Sequence, residues 1–457
     1  MFSNIFMRKK WLKWIVWAVF SPVLLFFILM ILLYVPPVQD FLRKEATEYA
    51  SKETGYNISV GRIDLRFPLN LLLRHVQIVG RHTKKFSKTS LPDTLLSFSS
   101  LNVRVQALPL FAGRVEVDEV TLKKVSVNSL ELVKGMHVKG VLGKLSLESH
   151  GINPGKEEAL VDKVELSDAH MMLALVDTTK TPEDKTKKEL KWRVVLQRLH
   201  LKNVSVDYRQ PFDSTRLATR IVDAGLSGGV LDLRHAFYGL KKLQVRNGYL
   251  NYDVGKSLPS KGFDPSHIAL RDIMFEVDSV ILHKQTMNAV IRQFILNERS
   301  GLNVSSLTGR CFVNSSIIRI PNLSLLTPHS ELNFSFRTDK KIFKKPFLGH
   351  LETRLDGRIG SPDAILLLGG LPDEFKKAYP FRPLTLHVGL KGDLQQLDIS
   401  RLMVDLPGAF SISGKGKFNN LGNNLKRKGH VDLNMSMRNL QFLVGIAGFK
   451  PGGNLAV

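Results

Sequence analysis

Residues 197–206 read QRLHLKNVSV, with apolar side chains at the third, fifth and tenth positions of the stretch. The same frame recurs in DEVTLKKVSV (118–127), DKVELSDAHM (162–171) and KKLQVRNGYL (241–250). Apolar residues that alternate with polar ones are typical of a β-strand with one buried face. Because the copies are irregularly spaced, they indicate a repeated β unit with variable loops rather than a strict solenoid.

The seventh position of each copy predicts a corner in the strand. The interval from the fifth to the tenth position is odd, so a regular pleat would send the two halves to opposite faces. Asp168, Asn203 and Asn247 stand at the seventh position of three copies, and Asp and Asn tolerate left-handed backbone. In the remaining copy, 118–127, the seventh position is Lys124. We expect a strand, a bulge or corner, and a second strand, with the apolar side chains restored to one face.

Alternation continues through most of residues 56–457, as in LNVRV (101–105), LNFSF (332–336) and LTLHV (384–388). These patterns predict a mainly β protein with an elongated, curled antiparallel sheet. The stretch from Ala364 to Ala378 predicts short helical turns that plug the end of the sheet, with a membrane-touching element as the other interpretation.

The corner hypothesis also predicts that the apolar residues of two strands lie on the same face of the sheet. If the corner returns the apolar side chains of the second half to the face of the first half, the inward-pointing residues are Leu199, Leu201, Val204, Val206, Tyr208, Leu243, Val245, Leu250 and Tyr252. An open groove for lipid and the filled core of a β-sandwich both fit this pattern, because period-two alternation does not distinguish them.

The N-terminus predicts a membrane anchor. Residues 14–35 carry no charge, and Arg8, Lys9, Lys10 and Lys13 precede them. About 20 apolar residues span a bilayer, and basic flanks stay in the cytoplasm. We therefore expect residues 1–13 in the cytoplasm, a single-pass signal-anchor, an amphipathic helix over 38–54 and the remainder across the membrane. The apolar run is longer than that of a cleaved signal peptide. The anchor residues include Trp14, Trp17, Leu25, Phe27, Leu33 and Val35.

Composition excludes several classes of function. A net charge of +24 is typical of proteins that bind nucleic acid. The basic residues of this chain, however, gather in loops without a recognition helix or zinc-finger spacing, so we expect no nucleic-acid partner. A single cysteine, Cys311, allows no intramolecular disulfide. The 13 His are scattered, so we expect neither a metal nor a cofactor. GLSGG (225–229) matches the G-x-S-x-G motif of hydrolases at Ser227, but a strand pattern follows it where the motif requires a helix.

Three segments resemble the TamB family of the AsmA-like superfamily, in its Bacteroidetes form. They are TGYNISVGRI (54–63), IIRIPNLSLLTPHSEL (317–332) and GDLQQLDISRLMVDLPG (392–408). The resemblance implies a β-taco fold of AsmA-like repeats, an inner-membrane anchor with the bulk in the periplasm, no enzymatic activity, and phospholipid transport in outer-membrane biogenesis. It also implies an Omp85-class outer-membrane barrel as a partner, through a C-terminal domain that this chain does not show.

Two consequences of the resemblance remain expectations. We expect the chain to be incomplete at its C-terminus, because members of the family are longer and nothing after Gly448 resembles their terminal domain. The alternative function is a scaffold or chaperone that assembles outer-membrane β-barrel proteins, binding polypeptide by strand addition at an open sheet edge.

Overall fold

The structure is a computed structural model that describes residues 31, 34–66, 69–80, 94–106, 109, 116–133, 135–153, 155–176, 191–344, 349–367, 373–422 and 425–439. Within these residues the chain forms one 20-stranded, curled and unclosed sheet with one 19-residue helix and a few short helices. The predicted large β structure is thus present. It follows directly from the alternating patterns, which give each strand one apolar and one polar face.

The first half of the sheet consists of long strands. After helix α1 (Pro36–Thr54) come β1 (Asn57–Arg66), β2 (Asn70–Val79), β3 (Thr94–Val105), β4 (Val117–Val133), β5 (Met136–Asn153), β6 (Glu158–Leu175), β7 (Arg193–Gln210), β8 (Thr215–Asp232), β9 (Phe237–Asp253) and β10 (His267–His283).

The second half has shorter strands and the helical insertions. It contains β11 (Thr286–Glu298), β12 (Asn303–Val304), β13 (Ser306–Val313), β14 (Ile317–Leu326), β15 (Glu331–Asp339), a 3-10 helix (Lys340–Phe343), β16 (Leu351–Ile359), α2 (Ser361–Leu367), α3 (Asp373–Ala378), β17 (Leu384–Gly392), β18 (Gln396–Leu406), β19 (Phe410–Asn419) and β20 (Lys428–Met437).

Strands that follow each other in the chain pair in antiparallel fashion, except that β12 and β13 both pair with β11 and that one pair departs from the predicted topology. Strands β6 and β7 pair in parallel, with Val164 opposite Leu199 and Leu166 opposite Leu201. Parallel neighbours need a crossover of a dozen or more residues. Residues 177–190, which come between the two strands in the sequence, lie outside the described part. The predicted antiparallel sheet therefore contains one parallel pair among the described strands.

The predicted corners are confirmed by the backbone. Lys124, Asp168, Asn203 and Asn247 all adopt left-handed φ angles of 51°, 55°, 52° and 57°. His75 and Asp272 share this conformation in β2 and β10, with φ angles of 51° and 53°. We call these six residues the crease. Across β6 and β7, Asn203 Nδ2 donates a hydrogen bond of 2.9 Å to Asp168 Oδ1.

The two outer edges of the sheet differ in how their backbone is satisfied. Helix α1 packs along β1, where Arg43 Nη1 donates to the Val60 carbonyl at 3.1 Å and Ser51 Oγ accepts from Ile58 N at 3.1 Å. At the opposite edge, β20 pairs with β19 and presents exposed Leu433 and Met435. The polar contacts from α1 to β1 blunt an edge that would otherwise pair with another chain.

The inserted helices build a small core over one set of strand ends. Ala364 of α2 packs with Tyr379, Leu406 and Ala409, which are all buried. The backbone N–H of Phe263, in the loop after β9, donates to the Leu366 carbonyl at 3.2 Å. The predicted helical turns are therefore present, and they cover strand ends rather than the face of the sheet.

The predicted membrane-spanning helix has no counterpart in the structure. Among the residues listed above, no helix is both long enough and apolar enough to cross a membrane. Helix α1 is interrupted by charges such as Asp40, Arg43 and Glu45, which a bilayer core does not admit. This finding contradicts the transmembrane part of the fold prediction and the single-pass inner-membrane location derived from it, and neither is retained.

Several predictions fall on residues that the structure does not describe. These are the cytoplasmic segment 1–13, the expected incompleteness at the C-terminus, where residues 440–457 are not described, and most of the predicted anchor, namely Trp14, Trp17, Leu25, Phe27 and Leu33. Val35 is described, and it is the exposed, extended residue that precedes α1.

Candidate functional site

The candidate site is the apolar face of the long strands, which we call the trough. Two rows of apolar residues run across the strands from β1 to β10, each residue directly opposite the next. The first row is Leu65, Leu71, Val103, Val120, Leu147, Val164, Leu199, Leu226, Leu243 and Val277. The second is Ile63, Leu73, Leu101, Leu122, Leu145, Leu166, Leu201, Ala224, Val245 and Phe275.

Beyond the crease the rows resume on the same strands. One of them contains Val125, Leu142, Ala169, Val204 and Ile221 in register. The next contains Met171, Val206, Thr219, Leu250 and Leu270. A left-handed residue shifts the pleat by one position, so the apolar residues on both sides of the crease can line one face.

The structure brings the nine predicted groove residues into shared rows. Leu199 and Leu243 flank Leu226, while Val206 and Leu250 flank Thr219. Leu201 and Val245 flank Ala224, Val204 lies opposite Ile221, and Tyr208 and Tyr252 flank Leu217. Directly opposite residues in a sheet share a face and lie about 5 Å apart at Cβ. The pairing therefore makes the nine residues lateral neighbours within shared rows, and their common face across the crease stays a prediction.

The residues of β8 were missed by the sequence interpretation. Leu217, Ile221, Ala224 and Leu226 complete the rows between β7 and β9. Their alternation is interrupted by the glycines of GLSGG, the stretch compared above with a hydrolase motif. The signal that would have found them is the register itself, because the flanking copies predict partners at matching positions.

The trough lining is only half-buried. Each of the nine groove residues keeps part of its surface exposed to solvent. The cluster of fully buried apolar residues in the described part of the chain lies instead under α2 and α3. A filled sandwich core would bury these side chains as completely as Leu406, which is 1% exposed. The burial pattern thus fits an open groove better than a filled core.

The charged side chains of strands β7 to β10 alternate with the trough residues and therefore lie on the face opposite the trough. His200 pairs with Asp223 at 2.7 Å, and Lys242 pairs with Glu276 at 2.7 Å. Hydrogen bonds from Arg209 and then Arg216 lower the pKa of Asp207 to about 2. These residues alternate in sequence with the trough residues, so one face offers ions to water and the other offers hydrocarbon.

The Ser227 motif lies in the middle of β8. Ser227 stands opposite Arg198 and Lys242, and the strand continues to Asp232 with no helix after it. His235 bonds Asp232 at 2.8 Å, a contact within the turn after β8 that lowers the pKa of Asp232. A nucleophile elbow needs a strand-to-helix turn, so this arrangement does not form one.

The described residues were searched for metal-binding clusters, and the sequence was compared with known proteins. No group of three or more His, Cys, Asp or Glu in the described ranges is arranged to hold a metal ion. Compared with models of protein families and with curated protein sequences, the chain gives no match.

Proposed function

We propose that the protein carries phospholipid, with the acyl chains lying in the trough. The supporting observation is the pair of apolar rows that cross β1 to β10 without a polar residue; apart from the buried Ala224 and Val277, their members keep part of their surface exposed. Burying acyl chains against such a surface releases water from both, which contributes about 0.8 kcal/mol for each CH₂ removed from water.

The dimensions of the trough suit movement along it. Neighbouring strands are about 4.8 Å apart, so ten strands extend the rows over about 43 Å. One leaflet of a bilayer is about 15 Å of hydrocarbon, which corresponds to about three strands. An acyl chain that moves along these rows therefore meets the same kind of apolar surface at each successive strand. It does not have to cross polar residues on the way.

The resemblance to the TamB family extends the proposal to outer-membrane biogenesis. In that setting the trough would deliver phospholipid toward the outer membrane, and an Omp85-class barrel is the partner that the resemblance suggests. This part of the proposal depends on the three similar sequence segments, whereas lipid carriage depends on the trough itself.

Lipid carriage is tested by photo-crosslinking and mass spectrometry. A photo-crosslinking amino acid at Val206 or Leu250 should capture phospholipid in cells, whereas the same probe at Asn251 on the polar face should not. The purified protein should also retain phospholipid detectable by mass spectrometry. Crosslinks from Val206 and Leu250 to the protein alone, with no retained lipid, would reject the proposal in favour of a filled core.

A second candidate is a scaffold or chaperone for outer-membrane β-barrel proteins. The open edge at β20 favours it, because Leu433 and Met435 are exposed there and an extended client segment could pair with this strand. A crosslinker at Asn434 separates the two functions. Capture of unfolded barrel proteins at Asn434, with no lipid captured at Val206, would favour the chaperone.

A further inference from the structure

A cationic depression lies away from the trough, on strands β14 to β18. Its volume is 510 Å³. Its charged lining residues are Arg319, Arg337, Arg354, Lys391 and Arg401, together with the carboxylates Glu352 and Asp356. The cations therefore exceed the carboxylates by three. Every one of the five basic side chains is exposed, so a ligand from solvent could reach them.

Two of these arginines face each other directly. Arg319 of β14 is the cross-strand partner of Arg337 of β15. Like charges placed opposite each other destabilise a sheet, since their Cβ atoms are about 5 Å apart. A structure keeps such a pair at a cost unless a negative group lies between the two.

A comparable pair elsewhere in the sheet has its own negative group. Arg62 lies opposite Arg74, and the buried carboxylate of Asp64 contacts both, at 2.5 Å and 3.4 Å. In the depression, neither Arg319 nor Arg337 has an ion-pair partner among the described residues. The sheet thus neutralises one arginine pair internally and leaves the other open to an external anion.

The carboxylates of the depression do not fill this role. Asp356 is engaged by Arg354 and by His387, the latter at 2.7 Å. Glu352 is the cross-strand partner of both Arg337 and Lys391, yet its nearest basic group is the His350 ring, at 3.9 Å. Arg337, Lys391 and Arg401 form no ion pair among the described residues.

The floor of the depression is shaped by a glycine. Gly389 lies opposite Arg401, and the bulged Ser400 Oγ donates to the Gly389 carbonyl at 3.1 Å. A Cβ at Gly389 would come within 2.7 Å of Ser400 Oγ. The Ser400 hydroxyl occupies the space that a side chain at Gly389 would take, and Gly389 lies between Arg354 and Arg401 in the strand register.

We propose that this depression binds a phosphate group carrying at least two negative charges, as in a phosphomonoester or diphosphate. Guanidinium groups match phosphate oxygens with two parallel hydrogen bonds, and paired arginines can hold one phosphate from two sides. The phosphate can belong to a lipid headgroup or to a soluble molecule. This site is on the polar side of other strands and does not depend on lipid carriage in the trough.

The test measures binding of inorganic diphosphate by calorimetry to the full chain. The double variant Arg319→Gln, Arg337→Gln should bind at least tenfold more weakly, because each charge-assisted hydrogen bond contributes about 1.5–3 kcal/mol, or about tenfold or more. The control Lys426→Gln, Arg427→Gln removes the same charge from the exposed turn before β20 and should bind like the unmodified protein. Equal affinity in all three proteins would overturn the proposal, as would no binding to any.

Two further readouts make the outcome specific. Vesicles containing phosphatidic acid, compared with phosphatidylcholine alone, identify the source. Binding to the phosphatidic acid vesicles that the arginine variant loses supports a lipid headgroup, whereas diphosphate binding without vesicle binding supports a soluble ligand. Removal of the like-charge pair should also raise the urea midpoint of the arginine variant, and a lowered midpoint would contradict the repulsion on which the site is based.

Discussion

Placing one carboxylate in the trough should obstruct lipid movement. Leu250 of β9 is half-buried between Thr219 and Leu270, in the row that also contains Val206. A carboxylate in a hydrocarbon environment costs about 3 kcal/mol. Because the trough is half-open to water, we take half of that value, about 1.5 kcal/mol, which corresponds to about a tenfold lower transfer rate for Leu250→Asp.

The assay is transfer of a fluorescent phospholipid from donor to acceptor vesicles by the purified protein. Asn251→Asp is the matched control, since it adds the same charge one residue away on the polar face and should transfer at the original rate. Leu250→Asp loses about half of the leucine burial, about 1 kcal/mol of folding free energy, so circular dichroism in urea must first show that it is folded. Leu250→Asn, an uncharged variant, should fall between the two. Equal transfer by Leu250→Asp and Asn251→Asp would refute the role of the trough.

Three further predictions concern stability, each measured by urea denaturation. The pKa of Asp207, lowered to about 2 by Arg209 and Arg216, means that its ionised form stabilises the fold above the unfolded pKa of 3.8. This contribution is lost progressively as pH falls from about 4 through 2, so Asp207→Asn should cost about 1 kcal/mol at pH 7, allowing for the exposed arginines, and little at pH 2; a constant difference would contradict the assignment. Asn247→Val should cost about 1–2 kcal/mol because a β-branched residue resists the left-handed φ, whereas Asn247→Gly should cost little; equal effects would argue against the crease. Leu406→Ala should cost about 3 kcal/mol, because the side chain is fully buried under the inserted helices, and Leu425→Ala on an exposed turn is its control; a similar small loss in both would show that the helices do not form a core.

The sequence determined the local features of the protein. Period-two alternation is a property of each strand and needs no knowledge of its neighbours, so the strands could be recognised one by one. The odd interval in the repeat required a corner, and the left-handed residues Asp168, Asn203 and Asn247 stand where it was expected. The short helices over residues 361–378 were also foreseeable, because alternation stops there.

The tertiary structure decided which segments meet. The parallel pairing of β6 with β7, the capping of β1 by Arg43 and Ser51, and the opposition of Arg319 to Arg337 join residues whose relation leaves no local pattern. The same holds for the half-open trough, since alternation is identical in a groove and in a sandwich. Strand pairing is made by hydrogen bonds between distant segments, and its register fixes which side chains become neighbours. The composition of each face is therefore written in the sequence, whereas the extent and openness of the trough exist only once the strands are paired.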